Sequence, residues 1–175
     1  YGGCAGNIIY NLVSIGADAF SIGTMGSDAG PYIEWMRKNN INTDYIEIIK
    51  DSYTAQAYIT TDRNANQITT FHPGAMQYSN QIKIPDNDSV TLGLISPDGR
   101  DGMIDHAKQL IEMKVPYVFD PGQGMPMFNK DELNFFSDNA SWIIMNDYEF
   151  KMYNEITGHT PSDIISNNKV LVVTD

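Results

Sequence analysis

"VTLGLISPDGRDGMIDHAKQLIEMKVPYVFD" (residues 90–120) contains the pattern that decides the fold. The apolar run VTLGLI predicts a buried strand, residues 101–114 predict a helix, and PYVFD predicts a second buried strand. A strand, a crossover helix and another strand of these lengths are typical of a parallel sheet with right-handed connections. The stretch therefore predicts an α/β fold.

The same alternation continues along the chain after this stretch. A strand is predicted at 141–146 and another at 169–174, and Thr160 with Asp163 has the spacing of a helix capping box. Helices are predicted at 130–139, at 147–158 with Gly158 as the stop, and from 160 onwards. In open α/β sheets ligands bind beyond the carboxyl ends of the strands. That rule selects three places: DPGQG after the strand YVF, NDYE after the strand WIIM, and the position that follows the strand VVTD.

The chain before residue 52 also alternates between helix and strand patterns. Residues 8–16 predict a helix with Ile8, Leu12 and Ile15 together on one apolar face. A strand at 19–26 follows. The next helix is predicted to start with Asp28 as its cap and Pro31 in its first turn, to bury Tyr32, Trp35 and Met36, and to lead into a strand at 44–50.

Residues 52–71 differ from the rest of the chain in composition and in their pattern of apolar and polar residues. YTAQAYITTD and NQITTF are rich in Thr, Tyr and Ile, and their apolar and polar residues nearly alternate. DRNAN, residues 62–66, separates them as a turn. This pattern predicts a β-hairpin inserted into the α/β body.

The amino-acid composition disfavours some classes of binding partner and leaves others possible. The 175 residues include 22 acidic and 11 basic side chains, which gives a net charge of −11. Nucleic-acid surfaces and anionic membranes need clustered Lys and Arg, so both partners are disfavoured. Small anionic ligands remain possible, because helix N-termini and Mg²⁺ supply local positive potential. The single cysteine, Cys4, excludes an internal disulfide, favours a cytoplasmic location, and is expected to be a small core residue.

The motif GGCAGN, residues 2–7, places three glycines before a helix. It lacks the spacing of a dinucleotide fingerprint or of a Walker loop, and no Lys or Arg precedes Arg37. We therefore expect these glycines to face a ligand other than phosphate.

Two further motifs carry polar groups at strand ends. NDYE places Asn146 at a strand exit, Asp147 at a helix cap and Glu149 in the first helical turn. Two interpretations stay open: acids that offset the helix dipole, or a polar pair that orders hydrated Mg²⁺ near a phosphate. DPGQG offers Asp120 and Gln123 in a predicted Pro-Gly turn.

Taken in order, these motifs resemble the ribokinase-like (PfkB) family of sugar and nucleoside kinases, and most of all its bacterial adenosine-kinase branch. The resemblance rests on GGCAGN, the hairpin ending NQITTFHPGAM, NDYE and the final VVTD strand. It implies a three-layer fold, with a parallel sheet flanked by helices and a small β lid. It also implies a kinase that uses ATP and Mg²⁺.

The resemblance implies roles for individual residues. Gly2 and Gly3 would let a sugar lie against the backbone, with Gly3 and Asn7 contacting its hydroxyls. Phe71, on the lid, would stack on a base, and lids of this branch often pair two subunits. Gln123 would contact the base or sugar, and Asn146 with Glu149 would organise Mg²⁺ and phosphate without direct metal ligation.

The resemblance also implies what lies elsewhere. The family's catalytic base belongs to a Gly-Ala-Gly-Asp element, which we expect after Asp175, so the chain is expected to be an inactive fragment of its parent. Within it we predict the start of the core at 1–51, the lid hairpin at 52–72 and more core at 73–175.

Several alternatives stay open at this point. The acceptor is adenosine or a free sugar such as ribose, because both present the same hydroxyls. A non-catalytic α/β protein that binds a small molecule is the alternative from another class. A nicotinamide oxidoreductase is disfavoured, since no strand, GxGxxG and helix occur in succession.

Overall fold

The computed structural model describes residues 2–86, 89–166 and 169–175. It contains two compact units, residues 1–82 and 83–175. Both units combine helices with parallel strands, and the first also contains an antiparallel hairpin, which confirms the predicted α/β class. The predicted division at residues 51 and 72 stays a prediction. Within the described part of the chain, no helix is both long enough and apolar enough to cross a membrane.

The first unit begins with two helices and a pair of parallel strands. Its elements are α1 (Cys4–Ser14), β1 (Gly23–Gly26), α2 (Gly30–Lys38) and β2 (Ile46–Ile49). Strands β1 and β2 pair in parallel, with Gly23 opposite Ile46. Met36 of α2 is buried, and Tyr32 and Trp35 pack beside it as predicted.

The face of the first helix that packs into the core is not the apolar face that the sequence singled out. Ile9, not Ile8, is the buried residue of α1, and Val13 packs against the same cluster. Leu12 is exposed, and Ile15 is 81% exposed. All five side chains are apolar, so the helix offered two possible faces. The face that packs against α2 is the one that carries Ile9 and Val13.

Asp28 does not cap α2, contrary to the prediction. The cap residue is Ala29, and no side chain accepts a hydrogen bond from the first turn. Asp28 instead accepts hydrogen bonds from the backbone N–H and the hydroxyl of Thr54, each at 2.8 Å. Its partner therefore lies in a distant part of the sequence. Pro31 does lie in the first turn, as expected.

The hairpin of residues 52–71 is confirmed. Strands β3 (Gln56–Thr61) and β4 (Gln67–His72) pair antiparallel, with Ala57 opposite Phe71 and Thr60 opposite Ile68. The turn is held by Asp62, whose carboxylate accepts hydrogen bonds from the backbone N–H groups of Asn64 and Asn66. A 3₁₀ helix, Gly74–Gln81, follows the hairpin.

The second unit is a four-stranded parallel sheet with helices. Its elements are β5 (Gly93–Ile95), α3 (Arg100–Glu112), β6 (Tyr117–Phe119), α4 (Lys130–Asn139), β7 (Trp142–Asn146), α5 (Asp147–Thr157), α6 (Pro161–Ile165) and β8 (Val170–Thr174). The strands lie side by side in chain order, and every pair is parallel. This arrangement confirms the pattern predicted from residues 90–120.

The core of the second unit lies between the sheet and α4. Phe119 of β6 stacks on Phe136 of α4 with ring centroids 4.4 Å apart, and Ile143 and Met145 of β7 are fully buried. The alternate strand residues are much more open: Leu94, Trp142, Val170 and Val172 are all exposed. The alternation follows from the pleat, which points successive side chains to opposite faces.

Three helices of the second unit start with reciprocal capping boxes. The pairs are Asn129 with Glu132, Asn146 with Glu149, and Thr160 with Asp163. The last pair confirms the prediction. Asn146 caps α5, so the prediction that Asp147 is the cap was wrong, and Asp147 is the first helical residue. The side-chain amide oxygen of Asn146, at the end of β7, thus accepts a hydrogen bond from a backbone N–H in the first turn of α5.

Candidate functional site

The glycine motif lies at the start of α1. Gly3 is the residue before the helix, with φ 96°, a conformation that side chains with a Cβ rarely adopt. A Cβ at Gly2 or Gly3 would meet no atom within 4 Å among the described residues. A Cβ at Gly6 would overlap the hydroxyl of Tyr32. Gly6 therefore serves packing, whereas Gly2 and Gly3 leave a surface open to a ligand.

Asn7 lies one turn into the same helix. Its backbone carbonyl accepts a hydrogen bond from the Asn11 side chain at 2.8 Å. Within residues 2–86, 89–166 and 169–175, its own side-chain amide has no protein partner, and the residue is exposed. The amide is thus available to donate to and accept from a hydroxyl-rich ligand. Gly2, Gly3 and Asn7 form one open surface at the start of α1.

Cys4 belongs to the same turn and is exposed. The prediction that it is a core residue was therefore wrong. The cause is the orientation of α1, because Ile9 points into the core and the first residues of the helix do not.

Phe71 lies on the hairpin and is 51% exposed. Directly opposite residues of antiparallel strands share a face, so Phe71 lies beside Ala57. Ile59 belongs to the same face, whereas Tyr58 and Ile68 belong to the other. The hairpin thus presents an aromatic ring on one face and a separate apolar pair on the opposite face.

In the second unit, β7 ends where α5 begins, at Asn146. The Asn146 Oδ1 accepts a hydrogen bond from the Glu149 N–H at 2.7 Å, and the Asn146 N–H donates to Glu149 Oε2 at 2.9 Å. Both side chains are half-buried. One carboxylate oxygen of Glu149 is left for another partner. The capping interpretation of this pair is thereby confirmed as one of its roles, and a role toward Mg²⁺ stays a prediction.

Asp120 was named in the DPGQG motif, but no role was predicted for it. It follows β6, and its backbone N–H donates to the Ile95 carbonyl at 2.8 Å. Burial raises the pKa of its carboxyl, and the negative charge of Glu149 raises that pKa further. Two carboxylates therefore interact at the carboxyl edge of the sheet. The sequence signal that pointed to Asp120 was its position at the end of a strand, where ligands bind in open α/β sheets.

Gln123 lies in a 3₁₀ helix, Gly122–Met127, rather than in the simple Pro-Gly turn that was predicted. Gly122 has φ 47°, and a Cβ there would lie 2.6 Å from the ring of Pro97, so this position requires glycine. Gln123 is exposed, and its side-chain amide has no hydrogen-bond partner in the described portion of the chain.

The predicted residues thus form two groups, each described within its own unit. The first unit holds Gly2, Gly3, Asn7 and Phe71, and the second holds Gln123, Asn146 and Glu149. Among the residues that the structure describes, no group of three or more His, Cys, Asp or Glu side chains could hold a metal ion. A cation at Asn146 and Glu149 would therefore have to bind largely through its own water molecules and a ligand.

Comparison with known families gives one match along nearly the whole chain. The model of the pfkB family carbohydrate kinases matches residues 1–174. The nucleoside kinase of Methanocaldococcus jannaschii is 24% identical over 99% of this chain and 58% of that protein. The nucleoside kinase of Thermoplasma acidophilum is 30% identical over 90% of this chain and 52% of that protein. The chain therefore spans little more than half the length of these relatives.

Solved structures agree with the family match. The nucleoside kinase of Burkholderia thailandensis in complex with inosine superimposes with a TM-score of 0.94 and 42% identity, over 99% of this chain and 58% of that one. The M. jannaschii nucleoside kinase, described as an archaeal member of the ribokinase family, gives a TM-score of 0.89 at 24% identity, over 99% and 58%. These likenesses confirm the ribokinase-like fold that the sequence predicted.

Proposed function

The chain belongs to the pfkB family of carbohydrate kinases, and from that membership we propose that its parent protein transfers phosphate from ATP to the primary hydroxyl of a nucleoside. The observation that carries the proposal is the 42% identity and 0.94 TM-score to a nucleoside kinase solved with inosine. Dependence on ATP also supports the cytoplasmic location expected from the single cysteine.

Gly2, Gly3 and Asn7 are proposed to bind the ribose. The open surface beside Gly2 and Gly3 supports this assignment, because a sugar ring can approach a backbone that carries no Cβ. The amide of Asn7, which has no protein partner among the described residues, supplies both a donor and an acceptor for ribose hydroxyls. Phe71 is proposed to stack on the base and Gln123 to contact the base or sugar. A nucleoside such as adenosine or inosine is therefore favoured over free ribose.

Asn146 and Glu149 are proposed to organise Mg²⁺ on the phosphate side. Amide and carboxylate oxygens are the donors that Mg²⁺ prefers, so the residues present fit the ion. When bound, Mg²⁺ would neutralise charge on the transferring phosphate. The chain's own part is positional: the capping box fixes the direction of the Glu149 carboxylate, and Asp120 adds negative charge beside it.

We further propose that the parent forms a homodimer through the hairpin. A two-stranded ribbon has two unpaired edges and hides little apolar surface by itself. Tyr58 is 59% exposed and Ile68 is 75% exposed, and both lie on the face opposite Phe71. One face can then serve the acceptor while the other serves a second copy of the chain.

The test of the function uses the parent protein at its natural length. We expect ATP-dependent phosphorylation of adenosine or inosine with a higher kcat/KM than for ribose. Asn7→Ala should lower kcat/KM for the nucleoside by about 5- to 150-fold, the cost of about 1–3 kcal/mol for lost buried polar contacts.

Asn11→Ala is the matched control for this experiment. It removes the same amide one turn further along α1, where the side chain donates to the Asn7 carbonyl. This control should stay within about twofold of wild type, the effect expected away from a binding site. Nucleoside binding without any phosphate transfer would favour the non-catalytic ligand-binding alternative. Equal losses in both variants would contradict the role of Asn7.

A further inference from the structure

The chain enters the hairpin through a segment that is held against the end of β1. The Gly26 N–H donates to the Thr54 hydroxyl oxygen at 3.0 Å, and that hydroxyl donates to the Asp28 carboxylate at 2.8 Å. The Thr54 N–H donates to the same carboxylate oxygen, also at 2.8 Å. Thr54 is therefore oriented by three hydrogen bonds to Gly26, the last residue of β1, and to Asp28, two residues further along. We call Asp28 and Thr54 the clasp.

The chain leaves the hairpin at the same place. The Ala75 N–H donates to the Tyr53 carbonyl at 2.8 Å, and the Thr24 hydroxyl donates to the Ala75 carbonyl at 2.6 Å. Entry and exit of the hairpin are thus joined to each other and to β1. Only Pro73 separates Gly74 from His72, the last residue of β4. The position of Gly74 therefore also sets where the last residues of β4 lie.

Two glycines make this close approach possible. A Cβ at Gly26 or at Gly74 would overlap the backbone of Tyr53, and Gly74 has φ 49° besides. Backbone contact at this distance leaves little room for the hairpin root to shift. Any change in the direction of the hairpin must therefore either occur beyond Gln56 and His72 or open the clasp.

Asp28 supplies the one charged group of this arrangement. It is exposed, and its pKa is lowered first by the Thr54 backbone hydrogen bond and then by the Thr54 hydroxyl. Hydrogen bonds to an ionised acceptor are stronger than those between neutral groups. A carboxylate at this position thus holds the hairpin root more firmly than a neutral acceptor would.

We propose that Asp28 is a positioning residue for the acceptor: by clasping Thr54 it fixes the direction of the hairpin, and with it the place of Phe71. This inference rests on the proposed function, because it assumes that Phe71 faces the acceptor. The proposal predicts different effects on the binding of the two substrates, the acceptor and ATP. Opening the clasp weakens acceptor binding and leaves ATP binding unchanged.

The experiment compares Asp28→Asn and Thr54→Val with Asp62→Asn in the full-length parent. Asp62 is the matched control, since its carboxylate likewise accepts local hydrogen bonds, from the backbone N–H groups of Asn64 and Asn66, but at the far end of the hairpin. Asp28→Asn and Thr54→Val should each raise the KM for the nucleoside about tenfold, the effect of one charge-assisted hydrogen bond. The KM for ATP and the kcat should change less than about twofold.

Two further variants separate positioning from damage to the fold. Thr54→Ser keeps the hydroxyl and should restore a KM close to that of wild type. The double variant Asp28→Asn/Thr54→Val should raise the nucleoside KM by less than the two single effects combined, because both changes weaken the bond between the Thr54 hydroxyl and the Asp28 carboxylate. Additive losses, or equal rises in the KM for nucleoside and ATP, would overturn the proposal.

A readout that needs no activity separates this proposal from the proposed function. Amide hydrogen exchange in residues 56–61 and 67–72 should be faster in Asp28→Asn than in wild type, with no nucleoside present. Unchanged exchange would overturn the clasp even if the parent is an active kinase. Faster exchange with an unchanged nucleoside KM would confirm the clasp and overturn its role in positioning the acceptor.

Discussion

Asn146 and Glu149 show how one pair of side chains can serve a helix and a ligand together. The reciprocal bonds at 2.7 and 2.9 Å start α5, and they leave one carboxylate oxygen of Glu149 for another partner. From the sequence alone, the structural and the ligand-binding interpretation looked like alternatives. The geometry allows both, because a carboxylate has two oxygens and the cap uses one of them.

Glu149→Gln should separate the two roles of this residue. Glutamine retains the oxygen that a capping box needs, so the melting temperature of the full-length parent should stay nearly constant. The lost charge should raise the Mg²⁺ concentration for half-maximal activity about tenfold, while the nucleoside KM stays near wild type. Glu149→Ala is the comparison variant, and it should both lower the melting temperature and raise the Mg²⁺ concentration for half-maximal activity. An unaltered Mg²⁺ dependence in Glu149→Gln would leave Glu149 with its capping role alone.

Asp120→Asn tests the cost of the buried carboxylate. Burial, and then the charge of Glu149, raise the pKa of Asp120 in the folded chain. Its ionised form therefore destabilises the fold at pH values above that raised pKa, and the penalty vanishes below the unfolded value of about 3.9. In EDTA at pH 7 the parent with Asp120→Asn should melt at a higher temperature than wild type. The difference should disappear as the pH falls towards 4, and a lower melting temperature at pH 7 would contradict this account.

At the scale of elements, local patterns predicted most boundaries and failed where partners are distant. The hairpin and α4 were predicted closely, because alternation and helix-start chemistry are local signals. The role of Asp28 depends on Thr54, 26 residues away, which no local pattern reveals. The face of α1 was ambiguous because apolar residues occupy both candidate faces, and packing against Met36 decides between them.

Ile68→Lys tests the proposed dimer at the level of the hairpin. Ile68 lies with Tyr58 on the face opposite Phe71, so a charge there should disrupt pairing between two copies. Sedimentation velocity at micromolar concentration should show monomers for this variant and dimers for wild type. Ile59→Lys adds the same charge on the Phe71 face and should remain dimeric. A wild-type parent that is monomeric, or a dimer that tolerates Ile68→Lys, would contradict the proposal.

At the scale of the whole molecule, the sequence predicted the parallel sheet but not how its faces are covered. The runs VTLGLI, PYVFD and KVLVVT are apolar at nearly every position, which is typical of strands buried on both faces. In the structure Phe119 and Ile143 on one face are buried and Leu94 and Val172 on the other are exposed, but Val173 of β8, opposite the buried Met145, is also exposed. Strand composition therefore indicates a sheet, and the coverage of each face depends on contacts that no single strand encodes.

The order of the strands in the second unit has a consequence for how the chain folds. Strands β5, β6, β7 and β8 each pair with the strand that comes next along the chain, so the described sheet contains no pairing between strands that are distant in sequence. The entropic cost of closing a connection rises only slowly with its length, so the helical crossovers between neighbouring strands close at modest cost. A nascent chain could therefore add each strand to the sheet as it leaves the ribosome. We expect this unit to assemble in the direction of synthesis, with β5 and β6 paired before β8 has been made.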